Sequence, residues 1–314
     1  MTMKKLLFGI VGPTACGKTA VSLLVAEHIG AEIISVDSVQ VYRGMDIGSA
    51  KPTVEERNGI AHHLLDCVDI DTPGFSVSTF RDLAYSAIDD VFARGKLPLL
   101  VGGSGLYVSA LTQPLNFAAP SDPATRKKFE KLYETSPENA LKKLQEIDPP
   151  TAKRLHIHDK KRIVRALEVQ ALSGQPLSAY GNDFANSQAR PARYASKMFG
   201  LSLPREALYQ RIEQRVEHMM ALGLEQEARR IYEQGFDRAL PAMQSIGYKQ
   251  LFAYFDGICS FEEAVALIKR DTRRFAKRQE TWFKRNPDIE WIDMRAGVSA
   301  AAAHIEQAIR RECT

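Results

Sequence analysis

Apolar positions along the chain keep two different rhythms. KKLLFGIVG near the start is an almost unbroken apolar run, and from Lys18 to Ile29 the apolar residues recur at helical spacing. AEIISVD forms a second run ending at Asp37, and KLPLLVGGSG a third ending at Gly102 and Gly103. Buried-type strands separated by helical stretches predict a parallel sheet with right-handed crossovers, so the fold class is α/β. From Asn116 the strand-like runs fade, and FEKLYETSPENALKKLQEI reads as short amphipathic helices. ASKMFGLSLP then returns as a strand, followed by a long helix with Leu208, Ile212, Val216 and Met219 on one stripe. The predicted organisation is a core in 1–116, a helical insertion in 117–193 and a return to the core in 194–314.

Composition adds little to this and charge adds more. The chain has 314 residues, 45% hydrophobic and 25% charged, as in an ordinary globular protein. No apolar run reaches 18 residues and no secretory signal pattern opens the chain, so a cytoplasmic protein without a membrane span is expected. Four scattered cysteines carry no metal-binding or disulfide spacing. Net charge is only +4, yet Lys153–Arg165 carries +5 and Lys269–Arg285 carries +6. On helical geometry Lys161, Arg162 and Arg165 share one arc, and Ile163, Val164 and Leu167 another. Arg270, Arg273, Arg274 and Lys277 likewise lie opposite Ile268, Phe275 and Phe283. Two basic helix faces are the footprint of a polyanion binder; the rival reading is solvated surface.

GPTACGKT, Gly12 to Thr19, matches the phosphate-loop pattern in full and stands between a predicted strand and a predicted helix. In such a loop the backbone of Gly12, Pro13, Thr14, Ala15, Cys16 and Gly17 wraps an oligophosphate. Lys18 adds a charge, and the Thr19 hydroxyl is placed for Mg2+. A nucleotide hydrolase would also end an apolar strand in a carboxylate, whereas LPLLVGG ends in glycine. Asp37 is the carboxylate left at a strand end, facing the expected crevice or else capping a turn.

GPTACGKT, DSVQVYRGMDIGSAKP, HHLLD, FSVSTFRDLA, LVGGSGLYVSALT, KRIVRALEV, QSIGYKQ and RRFAKRQETWF occur in an order and spacing that resembles the bacterial tRNA dimethylallyltransferases, over nearly the whole chain. The resemblance implies a P-loop-like core and transfer of a dimethylallyl group from its diphosphate to N6 of the adenosine 3′ to certain anticodons, releasing pyrophosphate. It implies tRNA and dimethylallyl diphosphate as partners; Mg2+ at Thr19 is expected as cofactor, and the chain as a monomer. By the same resemblance Asp37, Ser104, Arg126 and Arg215 are catalytic. Gly102, Gly103 and Arg211 join the phosphate loop at the donor. Contacts to tRNA fall to Asp37, Ser38, Val39 and Gln40, to Lys161, Arg162, Ile163, Val164 and Arg165, and to Gln244, Ser245, Ile246, Gly247, Tyr248 and Lys249. Arg273, Arg274, Lys277 and Arg278 of the second basic face are added to them. Gln244 and Lys249 stand where many relatives carry Arg, and Lys161 where many carry Gln. The alternatives are a P-loop small-molecule kinase, an adenylate prenyltransferase, and an RNA-binding protein with a vestigial phosphate loop.

Overall fold

The computed structural model describes residues 5–72, 74–118, 121–180 and 192–313. The chain forms two compact units, Met1–Thr112 with Tyr194–Thr314, and Gln113–Arg193. The insertion expected over 117–193 thus begins four residues earlier, directly after the last helix of the first half of the core.

In the first unit the order is β1 (Leu6–Val11), α1 (Lys18–Ile29), β2 (Glu32–Val36), β3 (His62–His63), α2 (Val77–Ala93), β4 (Pro98–Gly102) and α3 (Gly105–Thr112). The second unit contributes α4 (Pro123–Thr135), α5 (Pro137–Ile147), α6 (Pro149–Ala152) and α7 (Lys160–Ser173). The first unit resumes with β5 (Ala195–Ser202), α8 (Arg205–Ala221), α9 (Leu224–Glu233), α10 (Tyr248–Phe255), α11 (Phe261–Phe283), β6 (Ile289–Asp293) and α12 (Val298–Cys313). Its six strands pair in the order β3-β2-β4-β1-β5-β6, all parallel. The inferred runs are β1, β2, β4 and β5. Unforeseen were β3, only two residues long, and β6, whose IEWID is half-buried and lacks a continuous apolar run.

Alternation along the strands divides the core in two. Leu7, Val11, Ile34 and Val36 face α2, α3, α9 and α10, while Phe8, Ile10, Ile33 and Leu99 face α1 and α12. This register aims the carboxyl ends of β1, β2 and β4 the same way, where open parallel sheets bind ligands.

The second unit is built from capped helices. Asp122, Ser136 and Asp148 each accept a backbone N–H of the following first turn, and a proline opens each helix. Their shared core is Phe129, Tyr133, Ala140, Leu144, Ile163, Val164 and Leu167. The side chains of Ile163 and Val164 are therefore interior, a correction to their expected place among tRNA contacts, because they form the apolar arc of α7. Lys161 and Arg162 are exposed as expected. Arg165 is corrected too: its guanidinium turns to Glu168, 2.9 Å away, so that only 28% of its side chain is exposed.

Candidate active site

β1 ends in the phosphate loop, and α1 begins immediately behind it. Gly17, with φ of 101°, supplies the left-handed turn that starts the helix. Gly12, Pro13 and Cys16 are buried beneath the loop, while Thr14, Ala15, Gly17, Lys18 and Thr19 line a cleft of about 870 Å3. The Lys18 ammonium folds back to donate to the carbonyls of Gly12 (3.0 Å) and Pro13 (2.7 Å). Burial holds Lys18 below the usual lysine range. The Arg215 charge acts in the same direction, and Cys16 and Asp37 oppose it.

Across the cleft stands Asp37, one residue beyond β2. Its Oδ1 accepts from the amides of Val39 (2.8 Å) and Gln40 (3.2 Å), so the turn-capping reading holds for that oxygen. Asp37 also lines the cleft, which leaves Oδ2 as the oxygen for chemistry. Arg215 and Arg211 enter from α8. Arg215 donates to the Thr14 hydroxyl at 3.4 Å, and burial lowers its pKa against the pull of Asp37.

Several expected residues do other work. The Ser104 hydroxyl accepts the Ser38 amide at 3.0 Å and donates to the Ser38 hydroxyl at 3.3 Å, tying the end of β4 to the Asp37 turn. Gly102 and Gly103, rather than Ser104, face the cleft. Gln40 lines the cleft while its amide donates to Ser49 O and Ala50 O and its carbonyl accepts from the Ser35 hydroxyl. Tyr248 is fully buried with its hydroxyl on Glu227, a correction to its expected RNA contact. Its neighbours Gln244, Ser245, Ile246, Gly247 and Lys249 do line the cleft, as do Ser38, Val39 and Arg278. Arg273 is half-buried, paired with Glu213 at 2.6 Å, whereas Arg274, Lys277 and Arg278 are exposed. Arg126 belongs to the second unit, where it meets Glu130 at 3.2 Å and Glu168 at 3.9 Å.

Two side chains escaped the sequence reading. Glu227 on α9 accepts the consecutive amides of Asp46, Ile47 and Gly48 at 2.8–3.0 Å, fixing a loop of the cleft wall. Gln279 on α11 accepts the Thr14 amide at 2.8 Å and donates to Gly103 O at 2.9 Å. Both sit on otherwise apolar arcs, beside Leu224, Ala228 and Ile231 or beside Ala276 and Phe283. A polar residue on a buried stripe was the available signal. The far wall is apolar, with Val216, Met219, Leu224, Ile246, Ile268 and Phe275. An anion-gripping end, a carboxylate and a greasy wall together suit a substrate that couples a phosphate group to a hydrocarbon.

A family model described as IPP transferase matches residues 40–286. A tRNA dimethylallyltransferase of Pelotomaculum thermopropionicum is 45% identical over 99% of this chain and 97% of its own. One from Shouchella clausii is 49% identical over 92% of this chain and 91% of its own. Among solved structures, the tRNA isopentenylpyrophosphate transferase of Bacillus halodurans aligns with a TM-score of 0.72 at 40% identity, covering 98% of this chain and 96% of that one. A eukaryotic dimethylallyltransferase solved acting on tRNA aligns with a TM-score of 0.81 at 28% identity, covering 98% and 79%. With a match this long to the family and relatives this similar across nearly its full length, the chain belongs to the IPP transferase family.

Proposed function

We propose that this protein transfers the dimethylallyl group of dimethylallyl diphosphate to N6 of the adenosine 3′ to the anticodon of certain tRNAs, releasing pyrophosphate. The observation that carries the reading is the single cleft joining the phosphate loop, Asp37 and an apolar wall. N6 attacks the allylic carbon, the bond from that carbon to the diphosphate oxygen breaks, and the N6 proton passes to Asp37. The adenine amine is a weak nucleophile because its lone pair is delocalised, so a fixed carboxylate aids both orientation and deprotonation. Negative charge gathers on the leaving group, where the loop amides, Lys18, Arg211 and Arg215 stabilise it more than in the ground state. The base reaches the cleft by leaving its stack in the anticodon loop.

Mg2+ suits the donor set. The Thr19 hydroxyl is a hard oxygen donor on the cleft, and the described residues contain no cluster of three His, Cys, Asp or Glu side chains to hold an ion alone. An ion there would be shared with diphosphate oxygens, as Mg2+ commonly is, and would supply charge neutralisation to the leaving group.

The test is incubation with labelled dimethylallyl diphosphate and either tRNA or AMP. Label entering tRNA supports the reading. Label entering AMP, or ATP turnover without prenyl transfer, would replace it with one of the rival reactions. Asp37→Asn is expected to lower kcat by roughly 10²–10⁴ with substrate binding much less changed; near-normal turnover would remove Asp37 from the chemistry.

A further inference from the structure

The two loops that reach the donor end of the cleft follow different strands, β1 and β4, whose ladder ends at Val11 opposite Gly102. Beyond that pair, one side chain links them. Gln279 is 5% exposed, its Oε1 accepts the Thr14 amide at 2.8 Å, and its Nε2 donates to Gly103 O at 2.9 Å. The fit requires glycine at 103, where a Cβ would stand 2.3 Å from Nε2. Three residues on, the Trp282 indole donates to Ser109 Oγ at 3.3 Å, so α11 is fastened to α3 beyond the same turn. Thr14 is also held from its other side, by the Arg215 guanidinium on its hydroxyl.

We infer that Gln279 is a positioning residue for the diphosphate, setting the spacing between the phosphate loop and the Gly102–Gly103 turn. A carboxamide is suited to this work because it offers an acceptor to an N–H and a donor to a carbonyl at once, without charge. A carboxylate would add negative charge beside the diphosphate, and a shorter amide would not span both loops. The inference rests on the donor reading proposed above, since it assumes that this end of the cleft takes a diphosphate.

The experiment measures pyrophosphate binding, which needs no acceptor, in wild type, Lys18→Ala, Gln279→Met, Gln279→Glu and Gly103→Ala. Gln279→Met keeps length and loses both hydrogen bonds, so affinity is expected to fall about tenfold or more. Gly103→Ala should show the same loss by displacing Nε2. In Gln279→Glu the ionised carboxylate cannot donate to Gly103 O, whereas the protonated acid offers both an O–H donor and an acceptor. Its affinity relative to wild type should therefore recover as pH falls toward the range in which a carboxyl group is protonated, which a purely structural role would not produce. Wild-type binding that depends on Lys18, together with wild-type affinity in Gln279→Met and Gly103→Ala and no pH recovery in Gln279→Glu, would overturn the inference and leave the donor reading intact. Failure of wild type to bind pyrophosphate would overturn both.

Discussion

Two of the buried carboxylates, Glu227 in the sheet unit and Glu168 in the insertion, answer the same physical problem differently. Glu227 in the sheet unit is 2% exposed and is surrounded by neutral donors: the amides of Asp46, Ile47 and Gly48, and the Tyr248 hydroxyl at 2.6 Å. Glu168 in the insertion is fully buried and takes the Ser121 hydroxyl and the Asp122 amide on one oxygen, and on the other the guanidinium of Arg165, with Arg126 farther off. Three successive amides form an anion nest that the protein fills with its own side chain, fixing a wall of the cleft. Gly48 completes it, since a Cβ there would meet the Tyr248 ring at 2.6 Å. The insertion instead engages two arginines in pinning the start of α4 to α7. Neutral dipoles organise the chemical site, while the charge-based solution takes cations away from the surface.

The largest effect should follow from removing the acid that holds a wall loop by four hydrogen bonds at once. Glu227→Leu leaves three amides and a buried hydroxyl without an acceptor, and each such group costs roughly 1–3 kcal/mol. Partial relaxation of the loop brings the expected total to about 3–5 kcal/mol. Both tryptophans, Trp282 and Trp291, lie in the sheet unit, so denaturant unfolding followed by their fluorescence reads this unit alone. A loss below about 1 kcal/mol would mean that the loop finds other acceptors and that the nest is dispensable.

Glu168→Gln should cost less, about 1–2 kcal/mol. Arg165 and Arg126 already expose 28% and 35% of their side chains and can turn to solvent. The described insertion contains no tryptophan, so the fluorescence transition should stay put while limited proteolysis between α4 and α7 accelerates. A shift of the fluorescence midpoint matching that of the Glu227 variant would erase the distinction between the two sites.

Another buried acid of the sheet unit, Glu32, extends the series toward charge. Hydrogen bonding from Arg94 drives its pKa well below the ordinary 4.5; burial opposes this, and His63 and Lys96 add to the lowering. A depressed carboxyl pKa contributes stability that is present above about pH 4.5 and is lost as pH falls below it, because the unfolded chain takes up the proton first. Glu32→Gln should therefore flatten the acid limb of the stability curve. Unaltered acid dependence in Glu32→Gln would take this cluster out of the series.

These contrasts also mark where sequence reasoning stopped. Strand runs and the phosphate loop were legible because their signals are local: an apolar run of five or six residues, or eight residues in fixed order. Asp37 was legible because strand polarity in an α/β sheet fixes which end carries the site. Arg165 escapes the helical arcs because they assign a face but not the partner that a buried acid three residues away claims. Ile163 and Val164 share one contiguous stretch with their basic neighbours, but their own arc points to the interior. Ser104 and Gln279 depend on contacts between segments far apart in sequence, Ser104 with Ser38 across 66 positions and Gln279 with Thr14 across 265. No periodicity carries that information.

The smallest effect separates two arginines on α7. Arg162 exposes 74% of its side chain and has Asp159 no nearer than 3.9 Å, whereas Arg165 is held by Glu168 at 2.9 Å. If the exposed face neutralises tRNA phosphates, Arg162→Ala should reduce the slope of log affinity against log salt by about one unit, since one fewer counterion is released. Arg165→Ala should leave that slope near the wild-type value, because its guanidinium is already engaged by a carboxylate. Combining Arg165→Ala with Glu168→Gln separates the contributions: if Glu168 withholds the arginine, Arg165 should count toward the slope only when Glu168 has lost its charge. Equal slope losses from Arg162→Ala and Arg165→Ala would show that tRNA draws Arg165 off its acid, and the insertion would then use the pair as a latent phosphate contact.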